Sequence, residues 1–316
     1  MKKFFRPALT AIFAVMFLLT TAAHAEDAET FFNRGNDYAE QQQYERAIQE
    51  FTKAIELNPN YADAYNNRGI VYKNLGQYER AIQDFDKAVQ LNPNDAVLYY
   101  NRGNAYLDGL KQYERAIQDY DKAIQLNPNY AYAYNNRGGA YDDLNQYERA
   151  IQDFDKAIEI DPNFAQAYYN RGEAYDDLGQ NEPAIQNYDK AIELNPNFAM
   201  AYNNRGAVYN KLKQYERAIQ DFDKAIELNP NLVEAYNNRG IAYDNLGQNE
   251  RAIQNYDKAI ELNPNFAQAY NNRGIAYYNL GQYERAIQDY DKAIQLNPNY
   301  ELAKNNRELC LKAMGK

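Results

Sequence analysis

Residues 62–95 read ADAYNNRGIVYKNLGQYERAIQDFDKAVQLNPND, and the chain repeats this stretch with small changes from Ala28 to Tyr300. A period this regular governs the fold and has to be read before any single element. Prolines mark it: Pro59, Pro93, Pro128, Pro162, Pro196, Pro230, Pro264 and Pro298 stand 34 residues apart, except for a step of 35 from Pro93 to Pro128. Eight units result: 28–61, 62–95, 96–130, 131–164, 165–198, 199–232, 233–266 and 267–300.

Each unit carries two helical patterns separated by a break. Tyr65, Gly69 and Tyr72 lie at helical spacing in the first, and Ala81, Phe85 and Ala88 in the second. Gly76 stands where a left-handed residue ends a helix. Pro93 stops the second helix, because it lacks an amide donor and disfavours helix in the residue before it. Asn60, three residues before Asp63, predicts a near capping box at the first helix. The unit is therefore a helix hairpin.

The spacing of Tyr65, Gly69, Tyr72, Ala81, Phe85 and Pro93 resembles the tetratricopeptide repeat family, and all eight units keep the frame. Trp is absent, and Tyr or Phe fills the family's usual Trp position. The resemblance implies an all-α, right-handed superhelical solenoid whose first helices line a concave groove. Residues 301–316 start a ninth first helix without a partner, the pattern of a capping helix. Cys310 in that segment falls where other units have Ala or Val, so a buried structural thiol is expected. The extra residue of the third unit, near Asp108-Gly109-Leu110, reads as a longer turn between its helices.

Residues 1–25 differ in kind. Lys2, Lys3 and Arg6 precede an apolar run from about Ala8 to Leu19, and Ala23-His24-Ala25 forms a small-x-small cleavage site. That is the pattern of a secretory signal peptide, and it predicts a periplasmic or secreted protein, exported across a bacterial inner membrane. Cleavage removes three positive residues and no acids, so the formal charge of −10 becomes −13. The only His leaves with the leader, and one Cys remains, which permits no intrachain disulfide.

The same composition limits the chemistry. With no Ser in the chain and no His after residue 24, Ser-His-Asp and Cys-His catalysis and His-containing zinc sites are excluded. No glycine-rich phosphate loop is present. The acidic balance opposes nucleic-acid binding, which draws on phosphate neutralisation. The expectation is a non-enzyme that needs no cofactor and no metal. Its partners would be other exported proteins or peptide segments, neutral to basic, with no membrane span in the mature chain.

The strongest functional signal is the NNRG run. Counting from the start of each unit, position 6 is always Asn: Asn33, Asn67, Asn101, Asn136, Asn170, Asn204, Asn238, Asn272 and Asn306. Position 5 adds Asn66, Asn135, Asn203, Asn237, Asn271 and Asn305, with aromatics at Phe32, Tyr100 and Tyr169. The array resembles the asparagine ladder of the tetratricopeptide superhelix in O-linked N-acetylglucosamine transferase, and the resemblance implies that these amides hold an extended peptide by its backbone. Asn both donates and accepts, which suits a peptide's alternating groups. The competing reading is that the amides bond one repeat to the next. A Lys/Arg clamp for a C-terminal carboxylate is not supported: position 5 never holds Lys, and only Asn36 and Asn104 match such a clamp at position 9.

Acids gather on the same side at positions 9, 12 and 13: Asp108, Asp142, Asp143, Glu173, Asp176, Asp177 and Asp244. They favour a neutral-to-basic ligand; a cation-binding or surface structural role is the alternative. Arg at position 7, from Arg34 to Arg307, replaces the family's usual Leu on an otherwise apolar stripe. On the second helix Asp86, Asp121, Asp155, Asp189, Asp223, Asp257 and Asp291 interrupt an apolar stripe in the same way, which predicts ion pairs between helices.

Overall fold

The computed structural model describes residues 26–315, so the leader expected at 1–25 lies outside the described residues. Among the described residues there are 17 helices and no strand. They fall into two compact units that meet in sequence at Pro128 and Asn129. The first unit holds three hairpins: α1 (Ala28–Glu40) with α2 (Tyr44–Leu57), α3 (Ala62–Asn74) with α4 (Tyr78–Leu91), and α5 (Ala96–Asp108) with α6 (Tyr113–Leu126). The second holds α7 (Ala131–Asp143) with α8 (Tyr147–Ile160), α9 (Ala165–Asp177) with α10 (Asn181–Leu194), and α11 (Ala199–Lys211) with α12 (Tyr215–Leu228). It continues with α13 (Val233–Asn245) and α14 (Asn249–Leu262), α15 (Ala267–Asn279) and α16 (Tyr283–Leu296), and ends on α17 (Glu301–Ala313). Within each unit every first helix packs on its own second helix, and that second helix packs on the next first helix.

Small residues make this close packing possible. The Ala residues at positions 20 and 27 are fully buried in every hairpin, and between them lies the ring at position 24, at most 2% exposed. Position 8 must be Gly because that ring lies directly on it. A Cβ on Gly240 would come within 2.5 Å of Tyr256 Cε1, and one on Gly69 within 2.8 Å of Phe85 Cε1. Truncating such a ring to Ala would cost about 3–5 kcal/mol.

The turn between paired helices is three residues long, as at Leu75-Gly76-Gln77, and the amide of Gln77 donates to the carbonyl of Tyr72 at 2.8 Å. In the third hairpin the turn has four residues, and Gln112 donates to Tyr106 at 3.0 Å, so the extra residue is absorbed there. The middle of the turn is left-handed throughout, with φ of +71° at Gly76, and also at the non-glycines Gln42, Lys111, Asn145 and Lys213.

The capping box expected at Asn60 and Asp63 does not form. Tyr61 occupies the cap of α3 and its side chain makes no capping bond. The chain is turned one step earlier, where Asn58 Oδ1 accepts the amide of Asn60 at 3.1 Å, and the same Asx turn recurs at Asn195, Asn229, Asn263 and Asn297. Among the described residues, side-chain caps serve only α1, where Asp27 accepts from Thr30, and α5, where Asp95 accepts from Val97. At the far end Cys310 is fully buried against Ala286 and Tyr290, and its thiol donates to the Tyr283 carbonyl at 3.4 Å. It is a structural thiol, as its position predicts.

Candidate functional site: the first-helix face

The Asn run forms continuous hydrogen-bonded chains between hairpins. Where a hairpin of the same compact unit carries Asn at position 5, the position-6 amide of the next hairpin donates to its carbonyl oxygen. Asn101 reaches Asn66 at 2.9 Å, Asn170 reaches Asn135 at 3.0 Å, and Asn238 reaches Asn203 at 3.3 Å. Asn272 reaches Asn237 at 3.0 Å and Asn306 reaches Asn271 at 2.9 Å. The position-5 amide then donates to its own neighbour at position 6, as Asn66 to Asn67, Asn135 to Asn136 and Asn203 to Asn204, each at 3.0 Å. Asn66, Asn135, Asn203, Asn237 and Asn271 are buried, whereas the position-6 residues from Asn67 to Asn306 are half-buried and Asn33, with no hairpin before it, is exposed. An Asn side chain has two donor hydrogens and two acceptor lone pairs, so Asn238 and Asn272 each keep one of each beyond the ladder.

Within the two compact units, two junctions lack the position-5 Asn and solve the problem differently. Where Phe32 stands, Asn67 donates instead to Asn36 at 2.8 Å. Where Tyr169 stands, Asn204 donates to the Tyr169 hydroxyl at 2.9 Å and to Glu173 Oε1 at 3.1 Å, while Tyr169 donates to Glu173 at 2.8 Å.

Around Glu173 the face turns acidic. Burial, with the negative charges of Asp142 and Asp177 added, pushes Glu173 up to about 7 against the pull of its hydrogen bonds. Burial and the charges of Asp177 and Asp143 push Asp142 up to about 6, and its buried Oδ1 makes no hydrogen bond among the described residues. The structure thus brings together Asp142, Asp143, Glu173 and Asp177. Asp176 is instead bridged to Lys211 at 2.7 Å, and Asp244, raised by burial, accepts from Asn279 at 3.4 Å. Asp108 belongs to the first unit and meets Lys73 at 3.4 Å.

Hollows recur in one register along this face. Each lies between successive first helices, walled by positions 9, 12 and 13 of one hairpin and 6, 9 or 13 of the next. In the second unit the hollow after α9 has about 140 Å³ and is lined by Glu173, Asp176, Asp177, Tyr188, Asn204 and Ala207. The hollow after α11, of about 310 Å³, is lined by Ala207, Asn210, Lys211, Asn238, Ile241 and Asn245. The hollow after α15, of about 240 Å³, is lined by Ile275, Tyr278, Asn279, Tyr290, Asn306 and Leu309. In the first unit the equivalent hollow of about 370 Å³ lies over Phe51, between Asn36 and Ile70.

Tetratricopeptide repeat models match residues 62–95, 131–164, 199–232 and 267–300, and others match 85–118, 154–186 and 222–254. A third, described as TPR repeat, matches 35–76, 110–144, 172–213 and 244–281. The chain belongs to the tetratricopeptide repeat family. Members of this family are protein-interaction scaffolds and typically non-catalytic. No curated protein matches the chain. Among solved structures it is similar in fold to a chain of the APC/C hetero-tetramer Cut9–Hcn1, with a TM-score of 0.67 and 18% identity over 95% of this chain and 59% of that one. It is also similar to YrrB, titled a TPR protein with an unusual peptide-binding site, at 31% identity over 60% of this chain and 97% of that one (TM-score 0.49). MamA protein matches at 28% identity over 55% of this chain and 94% of that one, with a TM-score of 0.48.

The Arg that replaces the usual Leu of tetratricopeptide repeats is structural. Arg205 Nη1 meets Asp189 of the preceding hairpin at 2.6 Å, and Arg102 with Asp86 and Arg273 with Asp257 do the same at 2.7 and 2.6 Å. Arg171 with Asp155, Arg239 with Asp223 and Arg307 with Asp291 complete the pattern. The expected pairs of Asp86, Asp155, Asp189, Asp223, Asp257 and Asp291 therefore form, and they join successive hairpins. Sequence reasoning missed their second partner, at position 23. Asp84, Asp119, Asp153, Asp221 and Asp289 take both Nε and Nη2 of the Arg in their own hairpin, and Asn187 and Asn255 accept from Nε in theirs. Position 23 is Asp, Asn or Glu in every unit and nearly buried, a signal hidden by the equally polar position 25. From Arg68 to Arg273 each position-7 guanidinium also lies over the position-4 Tyr, as Arg205 over Tyr202 at 5.5 Å.

Proposed function

We propose that this tetratricopeptide array is a non-catalytic scaffold that grips extended, neutral-to-basic polypeptide segments on its first-helix face. The observation that carries the reading is the coincidence on one face of half-used amides and uncompensated acids. Position-6 amides such as Asn238 and Asn272 retain a donor and an acceptor beyond the ladder, matching a peptide backbone, while the charge of Asp177 acts repulsively on both Asp142 and Glu173, and Lys211 offsets it at Asp177. A basic segment would relieve that repulsion. The position-5 amides, buried and engaged between hairpins, hold the face in shape.

The leader read at residues 1–25 places the scaffold in the periplasm or outside the cell, with exported proteins as its partners. Among the described residues no helix is long and apolar enough to cross a membrane. The cation-binding reading is less well supported, since no three acids among the described residues converge as metal ligands. The test is binding of cationic and acidic extended peptides to the mature chain across a salt series. Asp143→Asn/Asp177→Asn is expected to weaken the cationic peptide and flatten its salt dependence. Unchanged affinity and salt slope would refute the proposal.

A further inference from the structure

The hollows of the second unit differ in chemistry while sharing one register. After α9 the walls are acidic, with Glu173, Asp176 and Asp177, and Lys211, which acts on Asp177, is already bridged to Asp176. After α15 the walls are Ile275, Tyr278 and Leu309, and Leu309 is 57% exposed. The floor there is Tyr290, 2% exposed. In the third hairpin the equivalent hydroxyl, of Tyr120, donates to Asn104 at position 9, at 2.7 Å. In the eighth, position 9 is Ile275, which cannot accept, and among the described residues the Tyr290 hydroxyl has no hydrogen-bond partner. A donor left without a partner in the chain and opening into the floor of an apolar hollow fits an apolar side chain that brings a backbone carbonyl with it.

The spacing of the hollows sets the conformation of a ligand that fills them in turn. Successive first helices touch directly through the Asn ladder, as Asn238 to Asn203 and Asn272 to Asn237. Packed helices lie about 8–10 Å apart. A β-strand returns a side chain to the same face every two residues, about 6.6 Å, which is too short. A polyproline II segment returns it every three residues, about 9 Å, and leaves its own amides and carbonyls unbonded and open to the Asn side chains.

We propose that the first-helix face of the second unit reads a polyproline II segment at one side chain per hollow, taking a basic residue after α9 and an apolar residue after α15, about nine positions apart. The inference rests on the peptide-binding reading above and adds conformation, residue class and spacing to it.

The test uses the mature chain and fluorescent proline-rich peptides carrying one Arg and one Leu separated by eight, nine or ten positions, in both chain directions. Because polyproline II turns about 120° per residue, a shift of one position aims the second side chain away from its hollow. The nine-position peptide is expected to bind at least about tenfold tighter than the other two in one direction. That advantage should vanish in Leu309→Glu, a change at an exposed side chain, and in Glu173→Gln/Asp177→Asn. Equal affinity for all spacings would overturn the inference. If such spacing-blind binding still weakened in Glu173→Gln/Asp177→Asn, the peptide-binding reading would stand without the register. Binding indifferent to both variants, or none for any peptide, would remove both.

Discussion

Removing Arg205 should destabilise the second unit more than removing either of its acidic partners. Its Nε and Nη2 bind Asp221 at 2.8 and 2.6 Å, and its Nη1 binds Asp189 at 2.6 Å. The Asp221 side chain is 8% exposed and that of Asp189 52%, so the two bonds differ in kind. Arg205→Ala strands the Asp221 carboxylate in a nearly buried site, at a cost of about 3–5 kcal/mol. Asp221→Ala leaves Arg205 its outer partner and should cost less, about 2–3 kcal/mol. Asp189→Ala removes a largely solvated pair and should cost about 0–1 kcal/mol. The protein supplies a control of its own. In the fifth and seventh hairpins Asn187 and Asn255 replace the acid, accept from Arg Nε, and donate back to the Pro183 and Arg251 carbonyls at 2.8 Å. Asp221→Asn should therefore cost no more than about 1.5 kcal/mol. Urea unfolding of the four variants by circular dichroism gives the ranking, and hydrogen exchange should place the loss in α11 and α12. If Asp189→Ala cost as much as Arg205→Ala, or Asp221→Asn as much as Asp221→Ala, the division between inner and outer bonds would be wrong.

Further consequences concern the ladder, the turns and the acids. Asn203→Ala removes an acceptor for Asn238 and a donor to Asn204 at a site 4% exposed, and should cost about 2–3 kcal/mol in urea unfolding, whereas Asn33→Ala at the exposed start should be neutral. A comparable cost at both would contradict an inter-hairpin role. Lys213→Gly and Gln42→Gly relieve a left-handed backbone, with φ of +60° and +58°, and each should stabilise by about 1 kcal/mol; lowered melting temperatures would refute this. Glu173, held up at about 7 by burial, binds a proton in the folded state over a range where the unfolded chain has lost it. Stability should therefore fall as pH rises from about 4.5 through 7, and Glu173→Gln, which keeps the acceptor and removes the charge, should flatten the profile and stabilise at pH 8 by roughly 2 kcal/mol. An identical pH profile for the variant would exclude Glu173 as the cause.

The hairpins were legible because each is spelled again and again, so that Gly69, Phe85 and Pro93 could be compared with their counterparts. The first-helix start was misread because Asp63 lies on the helix without reaching back, and Asn58 does the turning. The ladder was legible in its residues and not in its bonds. Asn101 and Asn66 stand 35 residues apart, and nothing local to either says which amide of an adjacent pair crosses to the next hairpin. The same ambiguity hid the acid at position 23: Asp84 and Asp86 flank Phe85, and only the packing decides that the first turns inward within its hairpin. Asp142, Glu173 and Asp177 lie on α7 and α9, and their mutual influence depends on how those helices stack.

The central claim is that partners occupy the first-helix face, and photo-crosslinking tests it most directly. A benzoylphenylalanine replaces Ala207, beside two of the hollows, or Glu193, exposed on the second helix α10, and a cationic extended peptide is added. The account predicts crosslinks from position 207 and none from position 193. Crosslinks from position 193 alone would contradict it.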